Sequence, residues 1–191
     1  MKLLVVRHGQ TVFNREQRYL GALNPPLDEI GLDQAKAISK RLPKPLSLVA
    51  CSPLLRATQT AAVICSERAL DAEVIHSFRE RHVGVYEGLT QQKAKQKYPE
   101  IWATGATRCW DAPPPGGETI HEVARRVFDG LMYIYGSFPD GVVTLVAHGF
   151  VAKTIRALCV VGFADFFQWQ LQNGEILEID VPNKSIILRP P

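Results

Sequence analysis

The stretch Leu3-Leu4-Val5-Val6-Arg7-His8-Gly9 decides the fold. Its first four residues are apolar and two of them are β-branched, a pattern typical of a strand that is buried on both faces of a sheet. The polar pair Arg7-His8 follows at the point where this strand must end. Strands of this kind occur in sheets that helices cover on both sides. The stretch therefore predicts an α/β fold with polar residues at the carboxyl end of its first strand.

Outside this stretch, predicted helices and strands alternate along the chain. Asp28 is suited to cap one helix, and Ser52-Pro53 supplies a side-chain cap and a proline at the first position of another. The predicted helices cover Asp28 to Leu42, Ser52 to about Ala69, Thr119 to about Phe138, and Val151–Val161. The predicted strands after the first are Ser47–Cys51, Glu73–Ser77, Val142–Ala147, and a terminal hairpin of Glu175–Val181 with Ser185–Leu188.

This alternation predicts an α/β three-layer sandwich. We expect a mostly parallel central sheet with helices on both faces and an antiparallel edge supplied by the hairpin. A length of 191 residues predicts one domain, spanning residues 1–191. Within it, residues 85–117 contain only a short predicted helix near Gln91–Tyr98 and end in a run rich in proline and glycine. We interpret 85–117 as an inserted, lid-like subregion.

Composition excludes several classes of protein. The net charge is only +3, and lysine and arginine are spread along the chain, so a nucleic-acid partner is not expected. The four cysteines are far apart, and three lie in apolar surroundings typical of reduced, buried thiols. The apolar run after Lys2 is too short for a signal peptide or a membrane span. A cytoplasmic protein without a membrane partner is the resulting expectation, and no pattern specifies an oligomeric state.

Four polar clusters each follow the carboxyl end of a predicted strand. They contain Arg7 with His8, Ser52 to Arg56, Glu80, and His148. Ligands of open α/β sheets bind at this edge, so the topology places two histidines, two arginines and a glutamate around one crevice. Each residue alone has an ordinary structural interpretation, such as a hydrogen-bonded histidine or a solvated charge. Their coincidence at one edge favours a common site.

These side chains suit a dianionic phosphoryl group. Guanidinium forks bind phosphoryl oxygens, and a neutral imidazole can attack phosphorus. Arg56 lies near the first turn of its predicted helix, where the helix dipole disfavours a cation, and a bound anion would explain its position. A glutamate could protonate the leaving oxygen. The residues therefore predict phosphoryl transfer without a metal or an organic cofactor.

The same residues resemble the signature motifs of a known family, the histidine phosphatase superfamily with its phosphoglycerate-mutase-like fold. Its R-H-G-[EQ]-[ST]-x-x-N signature resembles Arg7 to Asn14. Further resemblances follow in the family's order along the chain, from about Leu3 to Leu158. They are Pro26-Leu27-Asp28-Glu29-Ile30-Gly31, Ser52-Pro53-Leu54-Leu55-Arg56-Ala57, Glu80 with Gly84 and Glu87-Gly88, and Val146-Ala147-His148-Gly149.

The resemblance implies a role for each residue of the site. His8 is implied to be the nucleophile that becomes phosphorylated. Arg7, Arg56 and His148 are implied to hold the phosphoryl oxygens, with Asn14 supporting the pocket. Glu80 is implied to act first as general acid and then as general base for water. The catalytic residues would thus be His8, Glu80 and His148, with no metal and no cofactor.

Three functions remain open at this point. The first is a phosphatase acting on a small phosphorylated metabolite, and Gly116-Gly117-Glu118-Thr119 resembles the G-G-E-[ST] of the family's phosphatases. The second is a cofactor-dependent phosphoglycerate mutase, which Glu80-Arg81-His82 resembles, although Val83 replaces the mutases' tyrosine. Those mutases have a longer insertion and a covering tail, which we expect to be missing here. The third is a non-catalytic phosphate-binding or regulatory module, which the complete set of reactive residues disfavours.

Overall fold

The computed structural model describes residues 1–181 and 183. Five strands form one sheet in the order β3-β2-β4-β1-β5. Their bounds are β1 (Lys2–Arg7), β2 (Leu48–Cys51), β3 (Ala72–Val74), β4 (Val142–Ala147) and β5 (Ile176–Asp180). The neighbours β1 and β4, β4 and β2, and β2 and β3 pair in parallel, whereas β5 runs antiparallel to β1. The mostly parallel sheet with an antiparallel edge is confirmed.

The register of the parallel strands aligns their carboxyl ends. Arg7 on β1 is opposite Ala147 on β4, and Cys51 on β2 is opposite Val146. The residues that follow these strands, His8, Ser52 and His148, therefore leave the sheet side by side. This alignment creates the crevice that the strand order predicts.

Helices cover both faces of the sheet. They are α1 (Val12–Arg15), α2 (Glu29–Arg41), α3 (Leu55–Ser66), α4 (Gln91–Lys97), α5 (Pro99–Ala103), α6 (Ile120–Ser137) and α7 (Gly149–Arg156). Because strand side chains alternate between faces, Leu3 and Val5 of β1 pack with α6 and α7, whereas Leu4 and Val6 pack with α2 and α3. Leu3 to Val6 are at most 1% exposed, so the strand that decides the fold is buried on both faces, as predicted. The three-layer arrangement is confirmed.

Several predicted element bounds were wrong. Helix α3 starts at Leu55, and Ser52 does not cap it, because Leu54 precedes the helix without a side-chain cap. Strand β3 is three residues long, and a 3-10 turn at His76–Phe78 follows it. Helix α7 starts at Gly149 and continues into a π-helical turn at Ala157–Val161. The second strand of the predicted hairpin, Ser185–Leu188, lies outside the described residues.

Other local predictions are confirmed. Thr119 and Glu122 form the capping box of α6, and Asp28 caps α2 through the Gly31 amide. Cys51, Cys65 and Cys159 are buried free thiols. Residues 85–117 hold the short helices α4 and α5, and their role as a lid stays a prediction. Within the part of the chain that is described, no helix is long and apolar enough to cross a membrane.

Candidate active site

His8 lies at the carboxyl end of β1 and is 3% exposed. Its Nδ1 is 2.7 Å from the carbonyl oxygen of Gly9, and Arg56 Nε donates to its Nε2 at 3.1 Å. Since a carbonyl oxygen can only accept, Nδ1 must carry the proton and Nε2 must present a lone pair. Burial, with the charges of Arg56 and Arg7, holds the pKa of His8 well below 6.5. At neutral pH the ring is therefore an uncharged nucleophile.

A close backbone approach fixes the loop that carries His8. A Cβ on Gly9 would lie 2.2 Å from the carbonyl oxygen of Gly31, and a Cβ on Gly31 would lie 2.1 Å from that of Gln10. Only glycine at both positions lets the loop rest directly on the start of α2. The two motifs containing these glycines thus meet in space and hold His8 in place.

Arg56 is fully buried on the first turn of α3. Besides the bond to His8, it donates to the carbonyl oxygens of Leu23 at 2.6 Å and Gly21 at 3.1 Å. Burial lowers its pKa to about 10, so the guanidinium keeps its charge at neutral pH. It therefore presents a fixed positive charge beside the His8 ring.

Arg7 lies on the other side of His8 and is oriented by one strong hydrogen bond. Its Nη1 donates to the carbonyl oxygen of Leu171 at 2.7 Å, while its buried Nε has no partner among the described residues. The guanidinium packs against Gly149, where a Cβ would come within 3.3 Å of Arg7 Cζ. An incoming anion can therefore take the unused donor.

His148 follows β4 and is fully buried at the start of α7. Its ring meets that of His8 edge to face, with the centroids 5.1 Å apart. Its Nε2 lies 2.6 Å from Ser52 Oγ, while Nδ1 is buried without a partner among the described residues. Burial, with the positive charges of Arg56 and Arg7, holds the pKa of His148 well below 6.5. Ser52, expected to be a helix cap, instead orients this histidine.

Glu80 reaches the same cavity from the loop after the 3-10 turn His76–Phe78, six residues beyond the end of β3 at Val74. Its Oε1 accepts from the Arg81 amide at 2.9 Å, and its Oε2 accepts from the Phe150 amide at 3.3 Å. The second bond places the carboxylate at the positive N-terminal end of α7. Glu80 therefore lines the cavity with its carboxylate held at the start of α7, the helix that follows His148.

A partly buried ion pair holds the segment that carries Glu80. Arg126 of α6 donates from Nε and Nη2 to both oxygens of Glu118, each at 3.0 Å. It also donates to the carbonyl oxygens of Ser77, Arg79 and Glu80. Burial would raise the pKa of Glu118, but the hydrogen bonds and charge of Arg126 outweigh it, so that pKa is lowered. Sequence reasoning missed this support, because Arg126 lies 46 to 49 positions along the chain from the carbonyls that it holds.

Asn14 lines the cavity with its amide oxygen already engaged. That oxygen accepts from the amide and hydroxyl of Thr11 at 3.1 and 3.0 Å, closing the capping box of α1. Asn173 donates to it at 3.5 Å and to the carbonyl oxygen of His8 at 2.9 Å. Asn173 thereby ties the His8 loop to Asn14, a contact that sequence reasoning missed.

These side chains line one open cavity of about 230 Å³. This volume is below the ~300–1,000 Å³ typical of pockets for drug-sized ligands, which favours a small molecule. All six residues predicted for the site meet around it or, for His148, directly behind His8. Three further cations on its wall were not predicted to bind anything: Arg18, Arg81 and Lys153. Within the described residues, no group of three or more histidine, cysteine or acidic side chains is placed to hold a metal ion.

Comparison with known proteins agrees with this arrangement. The family model described as "Histidine phosphatase superfamily (branch 1)" matches residues 3–189. The chain belongs to the histidine phosphatase superfamily. A solved mycobacterial glucosyl-3-phosphoglycerate phosphatase in complex with VO3 superposes on it with a TM-score of 0.82 at 30% identity. That match covers 93% of this chain and 91% of the other.

Curated relatives include both phosphatases and mutases. A metal-independent phosphoserine phosphatase of Arabidopsis thaliana is 36% identical over 81% of this chain and 66% of its own length. A 2,3-bisphosphoglycerate-dependent phosphoglycerate mutase of Methylorubrum populi is 30% identical over 83% of this chain and 77% of its own. The chain spans 44% of a longer relative, a bifunctional protein of Mycobacterium tuberculosis, at 36% identity. Members of this superfamily thus perform phosphoryl transfer with more than one outcome.

Proposed function

We propose that this protein is a phosphatase that hydrolyses a small phosphorylated metabolite through a phosphohistidine on His8. The observation that carries the proposal is the pair of contacts that the His8 ring makes with Gly9 and Arg56, which assigns its tautomer. Its Nδ1 proton is committed to Gly9, which leaves the Nε2 lone pair in the cavity beside Arg56. A buried, neutral imidazole next to fixed cations is suited to attack a phosphoryl group that those cations hold.

The first step transfers the phosphoryl group to the protein. The Nε2 lone pair of His8 forms a bond to phosphorus as the ester P–O bond breaks. Arg7, Arg56 and His148 stabilise the negative charge on the phosphoryl oxygens. Arg56 Nε donates to His8 Nε2 in the free protein. When substrate binds, Arg56 Nε donates to a phosphoryl oxygen instead, and the lone pair of His8 Nε2 becomes available. Protonated Glu80 donates its proton to the leaving oxygen, and the alcohol departs.

The second step returns the protein to its starting state. A water molecule takes the place of the alcohol, and the carboxylate of Glu80 accepts its proton. The water oxygen bonds to phosphorus as the P–N bond breaks, and the electron pair returns to His8 Nε2. Glu80 is placed for both transfers because the amides of Arg81 and Phe150 hold its two oxygens. Asn14 keeps the adjoining loop in position through Thr11.

Arginine side chains take the place of a metal ion in this scheme. Arg7 and Arg56 provide two fixed positive charges at the nucleophile, so the reaction we propose is metal-independent. The Arabidopsis thaliana relative, a metal-independent phosphoserine phosphatase, supports this. We expect activity to persist in the presence of EDTA, and activity that vanished with EDTA and returned with Mg²⁺ would contradict the proposal.

A mutase is the second candidate, favoured by the Methylorubrum relative. Val83 lines the cavity at the position where the mutase motif has a tyrosine, which supports hydrolysis instead. The deciding assay supplies 3-phosphoglycerate with catalytic 2,3-bisphosphoglycerate and follows 2-phosphoglycerate and free phosphate together. Net phosphate release supports a phosphatase, whereas hundreds of isomerisations per phosphate released would identify a mutase.

Trapping of the phosphoenzyme tests the nucleophile directly. Rapid denaturation after mixing with a ³²P-labelled phosphomonoester should leave acid-labile label on the protein. His8→Ala should abolish this label, while the exposed His76 offers a matched control whose alanine variant should retain it. A folded His8→Ala variant that still accumulates the label would rule His8 out.

A further inference from the structure

The cavity contains more positive charge than one phosphoryl group can balance. Among its described lining residues, the only anionic side chain is Glu80, and the cationic ones are Arg7, Arg18, Arg56, Arg81 and Lys153. Arg18 already has an ion pair with Glu16. When Glu80 is protonated for the first step, a dianionic phosphoryl group balances two of the four remaining positive charges. At least one cation is therefore left for another negative group.

Lys153 is the cation that lacks a close partner. It lies one turn into α7 from the site, and its ammonium group is 5.8 Å from the ring centroid of Phe150 and 5.7 Å from that of Phe166. Neither a hydrogen bond nor an ion pair of its ammonium group is found among the described residues. Burial lowers its pKa, and the Glu80 carboxylate acts in the opposite direction without forming a direct ion pair. A half-buried ammonium group supported mainly by ring faces is open to a carboxylate.

Arg81 supplies a second free donor on the same wall. It is 2% exposed, and its Nε and Nη1 are fixed by the carbonyl oxygens of Glu118 and Thr107 at 2.9 and 2.7 Å. Its buried Nη2 has no partner among the described residues. The guanidinium lies 5.0 Å from the centroid of the Phe150 ring, which Lys153 also faces. Phe150 thus lies beside two cations, Arg81 and Lys153.

We propose that Lys153 selects substrates that carry a carboxylate close to the scissile phosphate, by binding that carboxylate beside the free Nη2 of Arg81. This inference rests on the proposed phosphatase function, since the carboxylate belongs to the alcohol that leaves with the ester oxygen. The phosphoryl group occupies Arg7, Arg56 and His8, and the carboxylate extends toward Phe150. The small cavity limits the carbon skeleton between the two groups to a few atoms.

A matched pair of substrates tests the preference. 3-Phosphoglycerate has a carboxylate where glycerol 3-phosphate has a hydroxymethyl group. We expect kcat/KM for 3-phosphoglycerate to exceed that for glycerol 3-phosphate by on the order of tenfold, the factor that corresponds to about 1.4 kcal/mol. Lys153→Met should reduce the ratio of the two values to near one. Lys95→Met, which removes the same charge from an exposed position on α4, should retain the wild-type ratio.

Two results would overturn the inference. A wild-type ratio near one would show that the carboxylate is not recognised. An equal loss of kcat/KM for both substrates in Lys153→Met would show that Lys153 acts through Glu80 or through folding rather than on the carboxylate. Lys153→Arg, which retains the charge, should restore most of the ratio if direct binding is correct.

A binding measurement separates this inference from the proposed function. By calorimetry, the non-hydrolysable 3-phosphonopropanoate should bind about tenfold more tightly than its neutral amide, 3-phosphonopropanamide, and Lys153→Met should remove the difference. Selective binding without hydrolysis of any phosphomonoester would support the carboxylate site and refute the phosphatase. Hydrolysis with equal binding of both phosphonates would support the phosphatase and refute the carboxylate site.

Discussion

The two walls of the cavity are built in different ways. The wall with His8 and Arg7, backed by His148, follows directly from the ends of β1 and β4, whose parallel pairing brings these residues together. The second wall, with Glu80, stands on a loop that is held by Arg126 of α6 and by Glu118, which precedes that helix. The first wall is thus fixed by backbone topology and the second by a few side-chain bonds. Substitutions on the first wall should therefore reduce stability and activity more than substitutions on the second wall.

The largest effect is expected at Arg56, the fully buried residue that supports the first wall. Arg56→Ala removes the donors to the Leu23 and Gly21 carbonyls as well as the charge beside His8. Leaving each buried carbonyl unpaired costs about 1–3 kcal/mol. The free energy of unfolding, measured with urea, should therefore fall by at least that amount. Arg41→Ala, an exposed arginine on α2, is the control and should change stability little. A fully active, equally stable Arg56→Ala variant would show that topology alone makes this wall.

His148 tests whether the first wall contains one essential nucleophile or two equivalent histidines. If His148 only stabilises phosphoryl charge, His148→Ala should lower kcat by about 10²–10³, the usual cost of one such donor, and still form the phosphoenzyme. His76→Ala, on the exposed 3-10 turn, should leave kcat unchanged. Loss of the phosphoenzyme in a folded His148→Ala variant would instead assign His148 to the nucleophilic step.

Arg126 tests the second wall without touching the first. Arg126→Met frees the Glu80 segment, so transfer of a proton to a poor leaving group should slow by on the order of tenfold, a part of the ~10²–10⁴ that general acid catalysis contributes. Single-turnover release of nitrophenolate, which needs no proton, should change much less. The neighbouring exposed Arg125 offers the matched control, Arg125→Met. Equal slowing for alkyl and nitrophenyl esters would mean that Arg126 supports both walls.

The contrast between the walls also explains what the sequence predicts and what it does not. The apolar run before Arg7 and the one before His148 mark buried strands, so the location of both residues at one edge follows from local pattern. Ser52 was misassigned because a serine before a proline is typical of a helix cap, whereas here its hydroxyl contacts His148. The contact of Asn173 with His8 joins residues 165 positions apart, and no local pattern encodes such a pair.

Lys153 and Arg81 show the same limit for substrate recognition. Both belong to segments whose motifs drew attention to a neighbouring residue, Glu80 or His148. Only the structure places Phe150 beside both of them and leaves Arg81 Nη2 without a partner among the described residues. The reacting group could therefore be predicted from the sequence, whereas the part of the cavity that would recognise the rest of the substrate could not.

The smallest expected effect is a pH dependence of stability that arises from the two histidines, His8 and His148. His8 and His148 have pKa values held well below 6.5 by burial and by neighbouring positive charges, chiefly that of Arg56, so both stay neutral as the pH falls from 7 to 6. In the unfolded chain, histidine has a pKa of about 6.5 and takes up protons over this interval. The unfolded state then binds more protons, and the free energy of unfolding should fall by about 0.7 kcal/mol for each of the two histidines. Urea titrations at pH 7 and pH 6 measure this difference in the free energy of unfolding. His148→Ala should reduce the difference by about half, whereas His76→Ala should reduce it by much less. Over the same interval kcat/KM should show no loss from protonation of His8. An acid limb centred near pH 6.5 that persists in His148→Ala and in His76→Ala would show that the nucleophile titrates like a histidine exposed to water.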